Sequence, residues 1–452
     1  FFHKPPMIYW TQAVSVKLFG LNEFALRLPS ALASLIWAFL LYLFAARYLG
    51  ARTAWFAVFF LVTALQVNLI EKAAIADALL NLFVSAALFA LYAFDRNRRR
   101  IFILAAYACM GMGFMTKGPI AVLIPMAVVL AWYASRRQWR SCLSVCVQPL
   151  GWLIFLSITL PWYVALYAKY GSSFIQEIFL VQNVGRFMKP MEGHSGPVFY
   201  YIPVILAGLI PFTTLLFYAG RQGKQLWQDD ATRFLLIWFG FVFIFFSLAG
   251  TKLHHYIVYG YVPLLVFMAA QVERCRSGWL LALPLLIFAL LLQAVPLVAA
   301  RILPDIKDVF ARIVISSSLD EFGASYHLLV AGLLLAALVT AAIRSIPIPA
   351  KTVIFGLLLI AFANFYLMPK VAGIMQMPIK SAALLARSRG YDVVMWKMNY
   401  PSFYVYYQKA PEKRKPKVHD IVITKAQNLK RLKAYTLLFE KHGIVLARVD
   451  SL

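Results

Sequence analysis

Apolar runs long enough to cross a lipid bilayer recur along most of this sequence of 452 residues. A helix needs about 20 apolar residues to span the hydrocarbon layer, and we find about twelve runs of roughly that length. Hydrophobic residues make up 62% of the chain and charged residues 14%, and the mean hydropathy is +0.75. These values exclude a soluble globular protein of this size, so we expect an all-α polytopic membrane protein.

The predicted membrane region covers residues 1–370. Its first 25 residues are amphipathic, and Pro5 and Pro6 oppose a helix start, so a surface loop is expected there. The sequence begins at Phe1 rather than Met, and we expect one further helix upstream. The spans are predicted at approximately 28–46, 53–70, 78–94, 101–116, 118–134, 147–168, 197–219, 233–250, 255–270, 278–299, 325–343 and 352–369.

Basic residues concentrate in every second loop, which predicts the orientation because short cytoplasmic loops carry the excess of Lys and Arg. These loops hold 16 basic and four acidic residues, whereas the alternate loops hold 12 basic and nine acidic residues. Residues 1–25, 71–77, 169–196 and 300–324, with the turns at Lys117 and Lys252, are therefore expected to share the outer face. We therefore attribute the net charge of +26 to the membrane topology and to contact with anionic lipid, and we expect no nucleic-acid partner.

Residues 371–452 lack long apolar runs and are predicted to form a small soluble α/β domain on the outer face. Phe403–Tyr407 and Val418–Thr424 alternate as strands do, while Asn428–His442 has a helical pattern. From Lys370 onward the chain holds 16 basic and five acidic residues. This charge favours an anionic membrane surface or an acidic glycolipid, and a solvated basic surface without a ligand is an equal alternative.

The four cysteines carry no metal-ligand spacing, and we expect free structural thiols. They are Cys109, Cys142, Cys146 and Cys275.

Asp77 is the ionisable residue that most needs an explanation, because Ile75-Ala76 and Ala78-Leu79-Leu80 make both of its flanks apolar. An unpaired carboxylate there would be costly. Lys4 or Lys117 could serve as its partner, and we expect Asp77 to act as a general base or to orient one.

Several cations at the predicted outer face could hold a phosphate by charge-assisted hydrogen bonds. Lys4, Lys117, Arg186 and Lys252 are these candidates. Lys117 lies in the turn Thr116-Lys117-Gly118-Pro119, where Pro119 can open a helix whose free N–H groups point outward. The turn is not a P-loop, because the GxxxxGK[ST] pattern is absent. The alternative for each cation is a side chain that snorkels at the membrane boundary.

A polar stretch rich in Gly and Pro, residues 171–203, interrupts the apolar sequence and is interpreted as a wall or lid of the site. Arg186 and His194 supply its polar groups, while Tyr200 and Tyr201 supply an aromatic edge. A divalent metal held by His194, Glu192 and one of His254 and His255 is an open alternative. No cofactor is predicted with certainty.

The motifs resemble the family of aminoarabinose lipid A transferases and related dolichyl-phosphate-mannose-type (PMT-like) transferases. The resemblance implies a GT-C glycosyltransferase with about thirteen spans, a sugar donor carried on undecaprenyl phosphate and a periplasmic active site at the bacterial inner membrane. The matching motifs are His3-Lys4-Pro5-Pro6-Met7-Ile8-Tyr9-Trp10, Leu18-Phe19-Gly20, Arg27-Leu28-Pro29-Ser30, Thr116-Lys117-Gly118-Pro119, Leu160-Pro161-Trp162-Tyr163 and Gly250-Thr251-Lys252-Leu253-His254-His255-Tyr256.

The resemblance also implies roles for individual residues. Lys4 matches the lysine that contacts the donor phosphate, Asp77 matches an acidic position at an outer helix end, and His194 matches a histidine before an aromatic helix start. The aminoarabinose enzymes carry Glu where this chain has His3, and their first-loop acidic residue would lie upstream of residue 1. The remaining substrate-cavity candidates are His3, Tyr9, Tyr200, Tyr201 and His255.

The sequence therefore predicts an inverting transfer of a sugar from undecaprenyl phosphate to an anionic lipid, a lipid A-like glycolipid or another periplasmic acceptor. A transporter or flippase of a lipid-linked sugar is the alternative from another class. The alternative predicts charges near the bilayer midplane and broken helices there.

Overall fold

A computed structural model describes residues 4–171, 185, 188 and 195–452. Helices dominate, and the expectation of an all-α membrane protein with a small C-terminal sheet is confirmed. Within the described ranges, seven helices are long and apolar enough to cross a membrane. They are Glu23–Leu49, Asp77–Asn97, Trp139–Tyr170, Asp230–Leu248, Gly278–Asp305, Ala324–Ala342 and Ile348–Met375. The chain is a multi-pass membrane protein.

The chain forms two compact units, one of residues 1–284 with 340–357 and the other of residues 285–339 with 358–452. The first unit opens with α1 Met7–Phe19, α2 Glu23–Leu49, α3 Ala51–Thr63, α4 Leu65–Ile70, α5 Asp77–Asn97, α6 Arg100–Lys117, α7 Ile120–Ser135, α8 Trp139–Cys146 and α9 Pro149–Tyr170. It continues with Tyr201–Gly208, Thr213–Gly220, Gly223–Gln228, Asp230–Leu248, the 3-10 helix His254–Gly260 and Tyr261–Ala269.

The surface loop expected over residues 1–25 is wrong, because most of this segment is helical. Pro6 stands immediately before α1, where a missing N–H costs no helical hydrogen bond, so the prolines precede the helix rather than prevent it. α1 ends at Gly20, whose φ of 78° favours glycine. Asn22 then caps α2 by accepting a hydrogen bond from the Ala25 N–H at 2.8 Å.

Two of the predicted spans are interrupted rather than continuous. Ala64 has an extended backbone between α3 and α4, and residues 209–212 separate the helices Tyr201–Gly208 and Thr213–Gly220. The Leu65 N–H donates to the Ile210 carbonyl at 3.1 Å, and the rings of Phe60 and Phe212 have centroids 4.1 Å apart. The two breaks therefore pack against each other, and a carbonyl at one break accepts a hydrogen bond from a backbone N–H at the other.

Buried aromatic rings fix α5 in the first unit. Phe89 of α5 stacks on Phe44 of α2 at 4.4 Å, and Tyr92 of α5 packs on Phe234 at 5.1 Å. Phe234 in turn meets Trp132 of α7 at 5.2 Å. Because close-packed interiors resist displacement, the C-terminal half of α5 is held firmly.

The C-terminal sheet has the strand order β1-β2-β4-β3, where β1 is Val393–Met395, β2 is Ile421–Lys425, β3 is Ala434–Lys441 and β4 is Ile444–Ser451. β1 runs parallel to β2, and the other pairs are antiparallel. The other α-helices of the described residues are Gly278–Ile302, Val309–Ser318, Ala324–Ala342, Ile348–Phe362, Met368–Met375, Met377–Ser388, Pro401–Tyr407 and Ala426–Leu429.

Two of the three predicted elements in this region are wrong. Phe403–Tyr407 lies in a helix that begins at Pro401, because proline favours the first helical turn. Asn428–His442 is mostly strand β3, since pairing with β4 overrides a helical pattern that is only a local preference. The strand predicted at Val418–Thr424 is confirmed as β2.

Candidate functional site

Asp77 and Lys117 meet because α5 begins where α6 ends. α5 and α6 are consecutive helices that pack side by side, so the first residue of one lies beside the last residue of the other. Gly118 ends α6 with a φ of 77°, a conformation that glycine adopts without steric cost, and Pro119 precedes α7. The turn predicted at residues 116–119 is therefore confirmed.

The carboxylate of Asp77 is buried and accepts hydrogen bonds from two groups on the same oxygen. Lys117 Nζ lies 2.7 Å and the Tyr259 hydroxyl 2.6 Å from Asp77 Oδ1. Lys117 Nζ also lies 2.7 Å from the Tyr259 hydroxyl, so the three groups form a closed triangle. Of the two partners that the sequence suggested for Asp77, Lys117 is the one that the structure shows.

The 3-10 helix His254–Gly260 supplies the other side of this cluster. His255 Nε2 lies 3.7 Å from Asp77 Oδ1. Lys117 Nζ lies 5.0 Å from the centre of the Tyr256 ring, which is within cation–π range. The side chains of Lys117 and His255 keep 27% and 19% of their surface exposed, so the cluster is reachable from outside although Asp77 is not.

Lys4 and Tyr9 lie at the start of the described chain. Lys4 is exposed, and its positive charge acts on the ring of His255. Tyr9 is on α1 and is 40% exposed. Lys4, Lys117, His255 and Asp77 thus belong to one electrostatic neighbourhood, as the sequence predicted from their shared face.

Lys252 has a different environment from the other candidate cations. Its Nζ donates to the carbonyls of Ser247 at 2.8 Å and Ala249 at 2.6 Å. These carbonyls end the helix Asp230–Leu248, where a cation offsets the helix dipole. Burial lowers the pKa of Lys252. The contacts indicate a structural lysine, and its predicted role in phosphate binding stays a prediction.

The aromatic edge predicted at residues 199–201 is only partly open. Tyr201 is fully buried, and its hydroxyl donates to the Leu253 carbonyl at 3.2 Å. Tyr200 is half-buried and packs edge-on against Tyr201 at 5.1 Å. His3, Arg186, His194 and most of the predicted lid lie outside the described residues.

A second buried carboxylate, Glu71, lies just before α5. Its Oε1 accepts a hydrogen bond from Asn81 Nδ2 at 2.8 Å, and its Oε2 accepts one from Ser34 Oγ at 3.0 Å. Burial raises the pKa of Glu71 to about 7, although both hydrogen bonds act in the opposite direction. Both of these hydrogen-bond donors are neutral side chains of the described residues.

A metal site is not formed by the described side chains, since no three of their His, Cys, Asp and Glu residues come together. The predicted metal ligand His194 lies outside the described residues. The described cysteines are free, and Cys142 and Cys146 face each other on α8 with a distance of 4.0 Å between their sulfur atoms.

Sequence reasoning missed Tyr259, the hydroxyl partner shared by Asp77 and Lys117. It lies 182 positions from Asp77, in an apolar stretch that gives no polar signal. The motif that ends at Tyr256 lies three positions before it and was the available signal.

Comparison with known proteins gives three kinds of similarity. Residues 3–164 match the family described as dolichyl-phosphate-mannose-protein mannosyltransferase. An undecaprenyl phosphate-alpha-4-amino-4-deoxy-L-arabinose arabinosyl transferase from Edwardsiella ictaluri is 34% identical over 61% of this chain and 50% of its own length. The transferase of the same name from Shewanella sediminis is 34% identical over 60% of this chain and 50% of its own length. The chain spans about half the length of the curated relatives it matches.

The fold is that of a solved transferase. The crystal structure of ArnT from Cupriavidus metallidurans bound to undecaprenyl phosphate matches with a TM-score of 0.78, over 99% of this chain and 88% of that chain, at 19% identity. Its apo structure matches with a TM-score of 0.76. The similarity to the aminoarabinose lipid A transferases and related dolichyl-phosphate-mannose-type transferases that the sequence motifs indicated is therefore confirmed, and the chain has their GT-C fold.

Proposed function

We propose that the chain transfers a sugar from a polyprenyl phosphate, of the undecaprenyl type, to a lipid acceptor with inversion at the anomeric carbon. The observation that carries the proposal is the cluster in which Lys117 and Tyr259 hold the buried Asp77 carboxylate beside His255. The proposal is supported by the relatives named as undecaprenyl phosphate-alpha-4-amino-4-deoxy-L-arabinose arabinosyl transferases and by the solved neighbour with bound undecaprenyl phosphate.

The reaction forms one bond at the anomeric carbon and breaks another. An acceptor oxygen attacks this carbon, the bond between the carbon and the phosphate oxygen breaks, and polyprenyl phosphate leaves with the electron pair. Charge accumulates on the leaving phosphate, so a cation fixed nearby stabilises the transition state more than the substrate. Lys4 is the best candidate for this cation because it is exposed and matches the lysine that contacts the donor phosphate in the resembling family.

Asp77 acts in this proposal chiefly by positioning other groups. Its contacts fix the ammonium of Lys117 and the ring of His255 on the side of the cluster that remains exposed. When the acceptor is a hydroxyl, the partly exposed His255, held beside Asp77, would take its proton. When the acceptor is an ionised lipid phosphate, such as that of a lipid A-like glycolipid, no base is needed.

The proposal places the reaction at the periplasmic face of the bacterial inner membrane. The alternation of basic and mixed loops supports this orientation. We further propose that residues 371–452 form a soluble domain on the same face, after a membrane domain of residues 1–370. The basic charge of the C-terminal segment suits an anionic lipid or glycolipid acceptor.

The alternative of a transporter or flippase predicts both broken helices and charges near the bilayer midplane. The described chain has two helix breaks, at Ala64 and at residues 209–212. Its buried charges, however, lie at or near helix ends, as Asp77, Asp95 and Lys252 do. Release of sugar from a labelled polyprenyl-phosphate sugar without lipid translocation would support the transferase.

Substitution of the exposed cation tests the proposal. We expect Lys4→Ala to reduce transfer in a membrane assay at least about 100-fold, because the leaving phosphate would lose its stabilising charge. Lys17→Ala is the matched control, since Lys17 is an exposed lysine in the last turn of α1. Near-normal turnover of a folded Lys4→Ala protein would contradict the proposed function.

A further inference from the structure

The 3-10 helix His254–Gly260 brings two of its side chains to the Asp77 carboxylate, yet only its second half is buried. Residues 257–260 are buried, whereas residues 254–256 keep part of their surface exposed. Hydrogen bonds in a 3-10 helix are less well aligned than in an α-helix, and a run of seven residues is uncommon. The exposed start of this helix therefore needs contacts from elsewhere in the chain to fix its position.

Gln66 supplies such a contact to the first residue of the 3-10 helix. It belongs to α4, is 7% exposed, and its Nε2 donates to the His254 carbonyl at 2.7 Å. The hydroxyl of Tyr201 donates to the preceding carbonyl, that of Leu253, at 3.2 Å. Two consecutive carbonyls at the start of the 3-10 helix are thus held by buried side chains from two other helices.

The Gln66 amide is itself fixed in one orientation. Its Oε1 accepts a hydrogen bond from the hydroxyl of Tyr261, which is fully buried. Gly208 leaves the space for this pair, because a Cβ at that position would overlap both Gln66 Oε1 and the Tyr261 hydroxyl. An amide that is bonded through both its oxygen and its nitrogen loses both bonds when it turns, so Gln66 Nε2 stays directed at the His254 carbonyl.

We propose that Gln66 is a positioning residue that fixes the backbone of His254 and thereby holds the neighbouring His255 ring beside Asp77. His255 Nε2 lies 3.7 Å from Asp77 Oδ1, which is longer than a hydrogen bond, so the ring depends on a second restraint from its own backbone. The consequence for catalysis rests on the proposed function, whereas the restraint on His255 does not.

The first test measures the restraint without any transfer reaction. The purified full chain in nanodiscs reacts with diethyl pyrocarbonate, and mass spectrometry gives the rate of modification at each histidine. We expect Gln66→Met to raise the rate at His255 at least about threefold, because loss of a hydrogen bond loosens the backbone that holds the ring. The rate at His419, an exposed residue of the C-terminal segment, should stay unchanged.

Gln293→Met is the matched control for this substitution. Gln293 Nε2 also donates to a histidine carbonyl, that of His327, at 3.1 Å. The control variant therefore loses the same kind of hydrogen bond at a distant place in the chain, and the modification rate at His255 should equal that of the wild type.

Gly208→Ala reaches the same amide without changing Gln66. The new Cβ would displace the Gln66 side chain, so the modification rate at His255 should rise as it does in Gln66→Met. Gly240→Ala is the control, since Gly240 also lies in a helix and a Cβ there would meet nothing within 4 Å. It should leave the rate at His255 unchanged.

The second test separates positioning from a general loss of stability. Gln66→Met should lower kcat for sugar transfer about tenfold per folded protein and change KM for the donor by less than about twofold. When it is added to His255→Ala, it should lower kcat by less than about twofold further, because a residue that acts through His255 then has nothing to position. Two independent effects would multiply instead.

An unchanged His255 modification rate in both Gln66→Met and Gly208→Ala would overturn the proposal, and so would a further tenfold loss of kcat in the double variant. Unfolding temperatures in detergent show whether each variant is folded. Absence of sugar transfer by the wild-type protein would count against the proposed function, and the modification rates would still decide whether Gln66 holds His255.

Discussion

Each end of α5 carries a polar cluster around a buried aspartate, and the two clusters differ in how completely the carboxylate is bonded. At one end Asp77 accepts from Lys117 and Tyr259, and at the other end Asp95 accepts from Arg136 at 3.0 Å and from the Tyr133 hydroxyl at 2.9 Å. Each cluster therefore combines a buried aspartate, a cation and a tyrosine.

The difference lies in how the carboxylates are covered. At Asp95 both oxygens are bonded, because Oδ2 accepts from Arg136 while Oδ1 accepts from Tyr133 and from a second cation, Arg98, at 3.1 Å. At Asp77 the contacts of Lys117, Tyr259 and His255 all fall on Oδ1, and the third group is the half-buried ring of His255 rather than an arginine. The Asp95 end is a closed ion-pair network, whereas the Asp77 end keeps a cation and an imidazole partly exposed.

Removal of the Asp95 carboxylate should have the largest effect on stability. We expect Asp95→Asn to destabilise the protein by about 4 kcal/mol, because it leaves the mostly buried Arg136 without its counter-charge. Chemical unfolding in detergent measures this change. Asp392→Asn, at a highly exposed carboxylate, is the control and should change stability by less than about 0.5 kcal/mol. A loss below about 1 kcal/mol for Asp95→Asn would show that the network is not an anchor.

Glu71 extends the comparison to a carboxylate held by neutral donors. Its pKa is raised from an ordinary value of 4.5 to about 7, so the folded state binds more protons than the unfolded state between these values. The contribution of Glu71 to stability should therefore be fully present below about pH 4.5 and fall by about 3 kcal/mol as the pH rises to about 7.

Unfolding of the wild type and of Glu71→Gln across this pH range measures the effect. The substitution should remove most of the decline, because an amide does not titrate. Glu440→Gln, at an exposed position of β3, should leave the decline in place. An identical pH profile for wild type and Glu71→Gln would refute this assignment.

Loss of the Lys117 cation at the Asp77 end should reduce the free energy of unfolding less than loss of the Asp95 carboxylate does. Lys117→Met keeps the length of the side chain but removes the charge, and we expect a destabilisation of about 2 kcal/mol because Lys117 is 27% exposed. Thermal unfolding gives the stability, and the membrane assay gives transfer, which should fall because Asp77 and His255 lose their fixed neighbour. Full activity in a destabilised Lys117→Met protein would make the Asp77 end a second anchor.

Much of the membrane architecture could be predicted from the sequence because span length and loop charge are local properties. The turn that presents Lys117 was predictable from Gly118 and Pro119, and the sequence named Lys117 among the possible partners of Asp77. Tyr259 was not predictable, since only the packing of distant helices brings its hydroxyl to the carboxylate. The break at Ala64 was missed because Ala64 and Leu65 carry no helix-breaking signal, whereas Pro211 was a usable signal for the break at residues 209–212.

The C-terminal segment shows a second limit of sequence reasoning. The residues of β3 include Ala434, Leu437 and Glu440, which favour helices, yet their pairing with β4 makes them a strand. Proline at position 401 was a usable helix signal that the alternation of the following aromatic residues masked.

Transfer rates of Asp77→Asn and Asp95→Asn, measured side by side and expressed per folded protein, test the account most directly. Both variants remove one charge from a buried aspartate of the same helix. If the Asp77 cluster is the functional one, Asp77→Asn should lower the rate about 100-fold or more, while Asp95→Asn should change it by less than about twofold. Equal losses in the two variants, or a normal rate for Asp77→Asn, would contradict it.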